Sequence, residues 1–242
     1  MAKKKIDYVL RSNLEVVDSR GHFNELLYSS KIIDFLDDSL PERRCDFDKN
    51  GVGEAINYSL YGWDADQAVG IVQVRHAYRE NKKWHMSVRK TYVICGYNEN
   101  GNPFRHPVSA GIVRSAVRKN SDPAKVVEAV QCWMWKVKPE LLGLSRRQGD
   151  VLIVPEKSQN PAKNKEFTVL GNQVKIGGSH IITADEIIKI EGKEFIYAKN
   201  PVLQHAKGQH KDTSAPRNDS PWFTIRVADE VASWDFSERL GD

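Results

Sequence analysis

The sequence predicts an α+β protein: an N-terminal region of helix and strand carrying a basic αα-hairpin, then a β-rich C-terminal module shaped as a small barrel or sandwich. Three observations carry this. Asp122-Pro123 opens an apolar helical stripe of Val126, Val127, Val130, Trp133, Met134 and Val137, with Asp as cap and Pro at the first helical position. Val108, Ile112 and Ala116 make a second helical stripe just before it. From Gly149 onward, short β-branched runs alternate with turn pairs.

In chain order, Leu26, Ile33, Leu36 and Leu40 predict an amphipathic helix over Asn24 to Leu40, stopped by Pro41. Asp46 to Gly53 reads D-F-D-K-N-G-V-G. Asp46, Asp48, Asn50 and Gly51 match the opening of a calcium loop, but the twelfth position is Asn57 where Glu is required. Asp, Asn and Gly are ordinary turn residues, so a plain turn is the preferred reading. Ala68 to Val74 and Trp84 to Tyr97 read as strands; Asn98 to Pro103 is a turn, and Phe104 begins a return strand. His106-Pro107 places Pro at the start of the first helix of the pair. The second helix is expected to reach about Lys138, before Pro139.

In the C-terminal part, Asp150 to Val154 is a strand. Thr168 to Ile176 reads as a tight hairpin turning at Gly171-Asn172. Ile187 to Ala198 reads as a second hairpin turning at Glu191-Gly192, with a capping box at Thr183 and Glu186 as the competing helical reading. Pro221 to Val227 is the last strand. The expected division is 1–145 and 146–242, with the boundary in Gly143 to Gly149. No long Pro/Gly/Ser linker separates the two, so one continuous domain is the alternative.

No apolar run approaches the roughly 18–20 residues of a membrane span, and Met1 to Lys5 is basic without a following apolar stretch, unlike a secretory signal. Three cysteines without C-x-x-C spacing argue against a disulfide framework or a cysteine zinc site and fit a reducing cytoplasm. There is no Gly-rich phosphate loop, G-x-S-x-G or H-E-x-x-H, so P-loop hydrolysis, serine hydrolysis and zincin chemistry lack support.

The net charge of +4 conceals a segregation. Residues 1–74 hold 9 Lys and Arg against 13 Asp and Glu, a net of −4; residues 75–147 hold 15 against 5, a net of +10; residues 148–242 hold 12 against 14, a net of −2. Within the middle block, Arg75, Arg79, Lys82, Lys83, Arg89 and Lys90 interleave with Tyr78, Trp84, His76 and His85, and Arg105, Arg114, Arg118 and Lys119 follow. Cations track phosphates by releasing counterions, and aromatic faces stack unpaired bases. These eleven residues (the ten cations and Trp84) are the expected contacts of a cytoplasmic nucleic-acid-binding protein, with RNA or single-stranded DNA as partner. Solvated strand and helix faces without a ligand are the competing reading. A helix-turn-helix is disfavoured, because the second helix shows Trp133 and Trp135 and few polar groups to read base edges.

Arg147 to Pro155, R-Q-G-D-V-L-I-V-P, resembles the R-Q-G-D-V-hydrophobic-P signature of an uncharacterised set of bacterial and phage proteins. In that set a G-H-x-H-like and a later H-x-x-H-like segment follow. Here Gly177 to His180 lacks the first His, and His205 and His210 are spread by two residues. The resemblance covers roughly the last 95 residues and implies a fold neighbourhood rather than a reaction.

It points to His180, His205 and His210, which could ligate a divalent metal on a barrel with Asp212 or Asp185 completing the shell. A metal-binding protein or metal-dependent enzyme is therefore one alternative function, although no cofactor is expected on the main reading. The i, i+5 spacing of His205 and His210 fits neither strand nor helix ligation. RNA cleavage by His76, His85 or His106 beside Lys83, Arg89 or Arg105 is a further reading that no spacing supports. Another alternative is an interaction subunit of a larger assembly, its basic surface meeting an acidic protein.

Overall fold

The computed structural model describes residues 44–64, 66–97, 103–177, 179–206, 208 and 211–228. The helix expected over Asn24 to Leu40, the turn residues 98–102 and the histidine at 210 lie outside them. The described chain is mostly β, with three helices among these residues, and divides into two units, the first through Val130 and the second from Gln131.

The first unit is an antiparallel meander. β1 (Arg44–Phe47), β2 (Gly53–Asp64), β3 (Val69–Arg79), β4 (Ser87–Tyr97) and β5 (Pro103–Val108) lie side by side in chain order. Asp48 closes the first hairpin: its Oδ1 accepts from the N–H groups of Asn50 (2.8 Å) and Val52 (2.9 Å). Those bonds, Val52's foremost, outweigh partial desolvation and hold the Asp48 carboxyl below its ordinary value. The Asp-Asn-Gly stretch is thus a side-chain-capped turn, the plain-turn reading. Gly53 follows at φ +140°, where a Cβ would fall 2.0 Å from the Asp46 carbonyl oxygen, so only glycine fits.

The paired helices differ from expectation at their ends. His106 and Pro107 belong to β5, opposite Ile94 and Val93, and helix α1 (Ala110–Lys119) starts three residues after Pro107. Proline lacks an N–H donor, which an edge strand tolerates as readily as a first helical turn, and β5 is the edge of its sheet. The buried stripe of α1 is accordingly Val113, Ala116 and Val117, and the helix lies near β2 and β4. Helix α2 (Pro123–Met134) begins as expected, with the Ala124 N–H on Asp122 Oδ1 at 2.9 Å. It stops four residues short of Lys138 because Lys136 turns left-handed (φ +50°). A short α3 (Pro139–Leu142) follows.

Gly62 on β2 lets α2 approach the sheet. A Cβ there would sit 3.0 Å from the Pro123 carbonyl oxygen and 3.0 Å from Val126 Cβ and Cγ1, and the first two are fixed by the helix backbone. Gly62→Ala is expected to cost about 1–3 kcal/mol of stability, read as a lowered urea midpoint; an unchanged midpoint would contradict this packing.

The second unit is an eight-stranded antiparallel sheet. β6 (Arg146–Gln148), β7 (Val151–Pro155), β8 (Phe167–Ile176), β9 (His180–Ile190), β10 (Ile196–Lys199), β11 (Val202–His205), β12 (Thr213–Ser214) and β13 (Trp222–Val227) run in the order β12-β11-β9-β10-β13-β7-β6, with β8 on the far side of β9. The end strands β12 and β6 approach one another, and Gln148 Nε2 donates to the Lys211 carbonyl (2.7 Å), so the sheet is a nearly closed barrel.

Val151, Ile153, Phe223 and Ile225, at alternate positions on paired strands, join Ile182 and Leu203 in one core. Tyr197, Ile188, Ile190 and Trp222 form a second cluster. The segment after α2 is fastened to this unit: Trp135, 2% exposed, donates from Nε1 to the Asp150 carbonyl at 2.9 Å. Arg226 donates to the carbonyls of Trp135 and Lys136.

The hairpin at Ile187 to Ala198 forms as β9 and β10. Thr183 to Glu186 is strand within β9 rather than a helix start. The expected tight hairpin at Thr168 to Ile176 does not form. Both of its halves pair with β9 as one strand, and the register shifts around Gly171 at φ +101°. Gly in a strand interior marks a bulge as readily as a turn, and the long partner strand β9 decides between them here.

Candidate functional site

The basic segment of the first unit is the far end of the β3–β4 hairpin, here called the arm. Every residue from Glu80 to Lys90 is exposed. Arg79 shapes the turn by donating to the carbonyls of Asn81 (3.3 Å) and Lys82. The Lys83 N–H reaches Asn81 Oδ1 at 3.0 Å, and the Trp84 N–H reaches the Asn81 carbonyl at 2.9 Å. Lys82, Lys83 and Trp84 are thereby displayed at the tip.

The register then sorts the cations onto two faces, because side chains alternate along a strand. Arg75 stands directly opposite Lys90, and Ala77 opposite Val88, on one face. On the other face His76 stands opposite Arg89. That second face is internally compensated: His76 Nε2 lies 2.7 Å from Glu54 Oε2, and the Arg89 guanidinium sits 5.3 Å from the centroid of the Tyr78 ring. The first face is not. Two like charges directly across a strand pair repel, and neither Arg75 nor Lys90 has an ion-pair partner among the described residues.

The remaining expected contacts are placed elsewhere. Arg105 pairs with Cys95 across β5 and β4 and shares the face of Arg89, nearer the buried end of the sheet. Burial pushes the Cys95 thiol far up, against the opposing charge of Arg105, which leaves that cysteine protonated and unreactive. Arg114, Arg118 and Lys119 are exposed on α1; Arg118 and Lys119 lie in its last turn, where they complement the helix dipole. The eleven residues therefore do not share one sheet face. The register brings Arg75 and Lys90 together, and the turn gathers Lys82, Lys83 and Trp84.

The strand register does not pair His76 with His106. His76 stands opposite Arg89 and His106 opposite Ile94, so β4 separates them. In α2 the valines at 126, 127 and 130 are buried with Met134, so these side chains are core rather than a base-reading surface.

In the second unit, His180 and His205 are register partners on β9 and β11, with ring centroids 5.4 Å apart. They are 1% and 5% exposed. The carboxylate beside them is one the sequence did not suggest. Asp150 Oδ1 lies 3.4 Å from His180 Nδ1, and Ser179 Oγ lies 3.3 Å from the same nitrogen. Asp185 instead accepts from Asn200 (2.7 Å) and Asp212 from Gln204 (2.8 Å). Asp150 belongs to the R-Q-G-D-V segment, which was the available signal. Among the described residues no group of three His, Cys, Asp or Glu side chains could hold a metal ion. Nor is any helix among them long and apolar enough to cross a membrane.

Comparison with known proteins finds no matching family model, no matching curated protein and no matching solved structure.

Proposed function

We propose that this chain is a cytoplasmic nucleic-acid-binding protein that grips phosphates through the β3–β4 arm of an α+β unit. The observation that carries the reading is the Arg75–Lys90 pair: two cations directly opposite each other in the strand register, with no ion-pair partner among the described residues. A phosphate placed between them relieves the repulsion and releases counterions from the nucleic acid. Lys82 and Lys83 extend the positive surface to the tip, and α1 adds Arg114, Arg118 and Lys119 as a separate basic element. The arm presents its cations as phosphate contacts, which position a strand without reading its sequence.

The His180, His205 and Asp150 group is buried, and we read it as a polar fastening within the second unit rather than as a solvent-facing site. A gel-shift series at low salt with labelled RNA and DNA, with heparin as polyanion competitor, tests the reading. A shift that heparin abolishes is expected. The absence of a shift with every nucleic acid, or binding only to an acidic protein that survives nuclease, would overturn it.

A further inference from the structure

We infer that the arm takes its ligand as a single strand, with a phosphate between Arg75 and Lys90 and a base stacked on Trp84. The inference rests on the nucleic-acid reading above and adds the form of the ligand and the residue that holds a base. Trp84, Met86 and Val88 are 61%, 49% and 42% exposed. They occupy alternate positions leading into β4, and Val88 shares the face of Arg75 and Lys90. Exposed apolar groups of this size on the same hairpin as cations that have no ion-pair partner among the described residues suit a ligand that offers both charge and apolar faces along its length.

An unpaired strand has that character, since each nucleotide offers a phosphate and a free base face. A duplex does not, because its base faces are closed within the stack. Only its phosphates and grooves would meet the arm, leaving the tryptophan without a partner. An anionic lipid surface would also accept Trp84, but it would draw on the tip lysines and not on the Arg75–Lys90 pair back along the hairpin.

Fluorescence anisotropy on the full chain separates these cases, using one labelled mixed sequence as single-stranded RNA, single-stranded DNA and duplex DNA, with anionic vesicles as a separate arm. Both single strands should bind more tightly than the duplex, and whichever of the two binds better identifies the source. Trp84→Ala should lose roughly five- to 150-fold in single-strand affinity, the range for one stacked base, with the salt slope unchanged because stacking carries no charge. Trp84→Phe should recover most of that loss. Lys90→Ala should instead reduce the slope by about 0.7.

Trp84 is mostly exposed at the tip, and the Phe variant reports even if the Ala variant is poorly folded. A duplex bound as tightly as the single strands, or a Trp84→Ala variant with unchanged affinity, would overturn this inference and leave nucleic-acid binding intact. Vesicle binding with no oligonucleotide binding would overturn both.

Discussion

Replacing Lys82, Lys83, Arg89 and Lys90 together with Ala should weaken binding to a single strand by about a hundred- to a thousandfold at roughly 0.1 M salt. Each phosphate contact on a single strand contributes about 0.7 to the slope of log affinity against log salt. Three or four such contacts therefore amount to two or three decades between about 0.1 and 1 M. Arg89 is expected to contribute least, because it is stacked on Tyr78 on the compensated face. All four side chains are exposed, so the variant should unfold with the same midpoint as the parent. An equal midpoint with unchanged affinity would place the binding surface elsewhere, with α1 the next element to test.

The largest expected effect on stability is at Trp135. It is among the largest fully buried side chains, and its indole N–H is bonded to the Asp150 carbonyl. Trp135→Ala should cost about 3–5 kcal/mol, from lost burial and the cavity left behind. Trp135→Phe keeps most of the ring contact but removes the donor, and should cost about 1–3 kcal/mol. Chemical denaturation of the two variants gives the comparison. A negligible loss for Phe would mean that the hydrogen bond contributes nothing, and a loss below about 1 kcal/mol for Ala would contradict the close packing of this segment.

Local chemistry made some elements legible and left others open. The start of α2 was readable because cap and proline signals act within three residues, and Asp122 does accept the Ala124 N–H. Its end was not. Val137 continues the helical stripe and is buried, but it is reached through a left-handed Lys136 instead of another helical turn. His106-Pro107 and Gly171-Asn172 failed for a shared reason. A proline at an edge strand looks like a proline at a helix start, and a glycine at a bulge looks like a glycine at a turn. In each case the partner strand decides, β4 for the first and β9 for the second.

The candidate site divides in the same way. The interleaving of cations and aromatics from Arg75 to Lys90 was plain in the sequence. Which of them share a face depends on the β3–β4 register, and that register separates the unrelieved Arg75–Lys90 pair from the compensated His76–Arg89 pair. Asp150 was overlooked beside His180 because 29 intervening residues separate them along the chain, and only the tertiary fold brings them together.

The central claim is that the arm binds a polyanion by displacing its counterions, and the salt dependence of affinity tests it most directly. The dissociation constant of the unmodified chain for a single-stranded oligonucleotide should be measured across a range of salt concentrations. Log affinity should fall linearly with log salt, with a slope of about −2 to −3 or steeper. No measurable affinity at low salt, or a slope near zero, would contradict it.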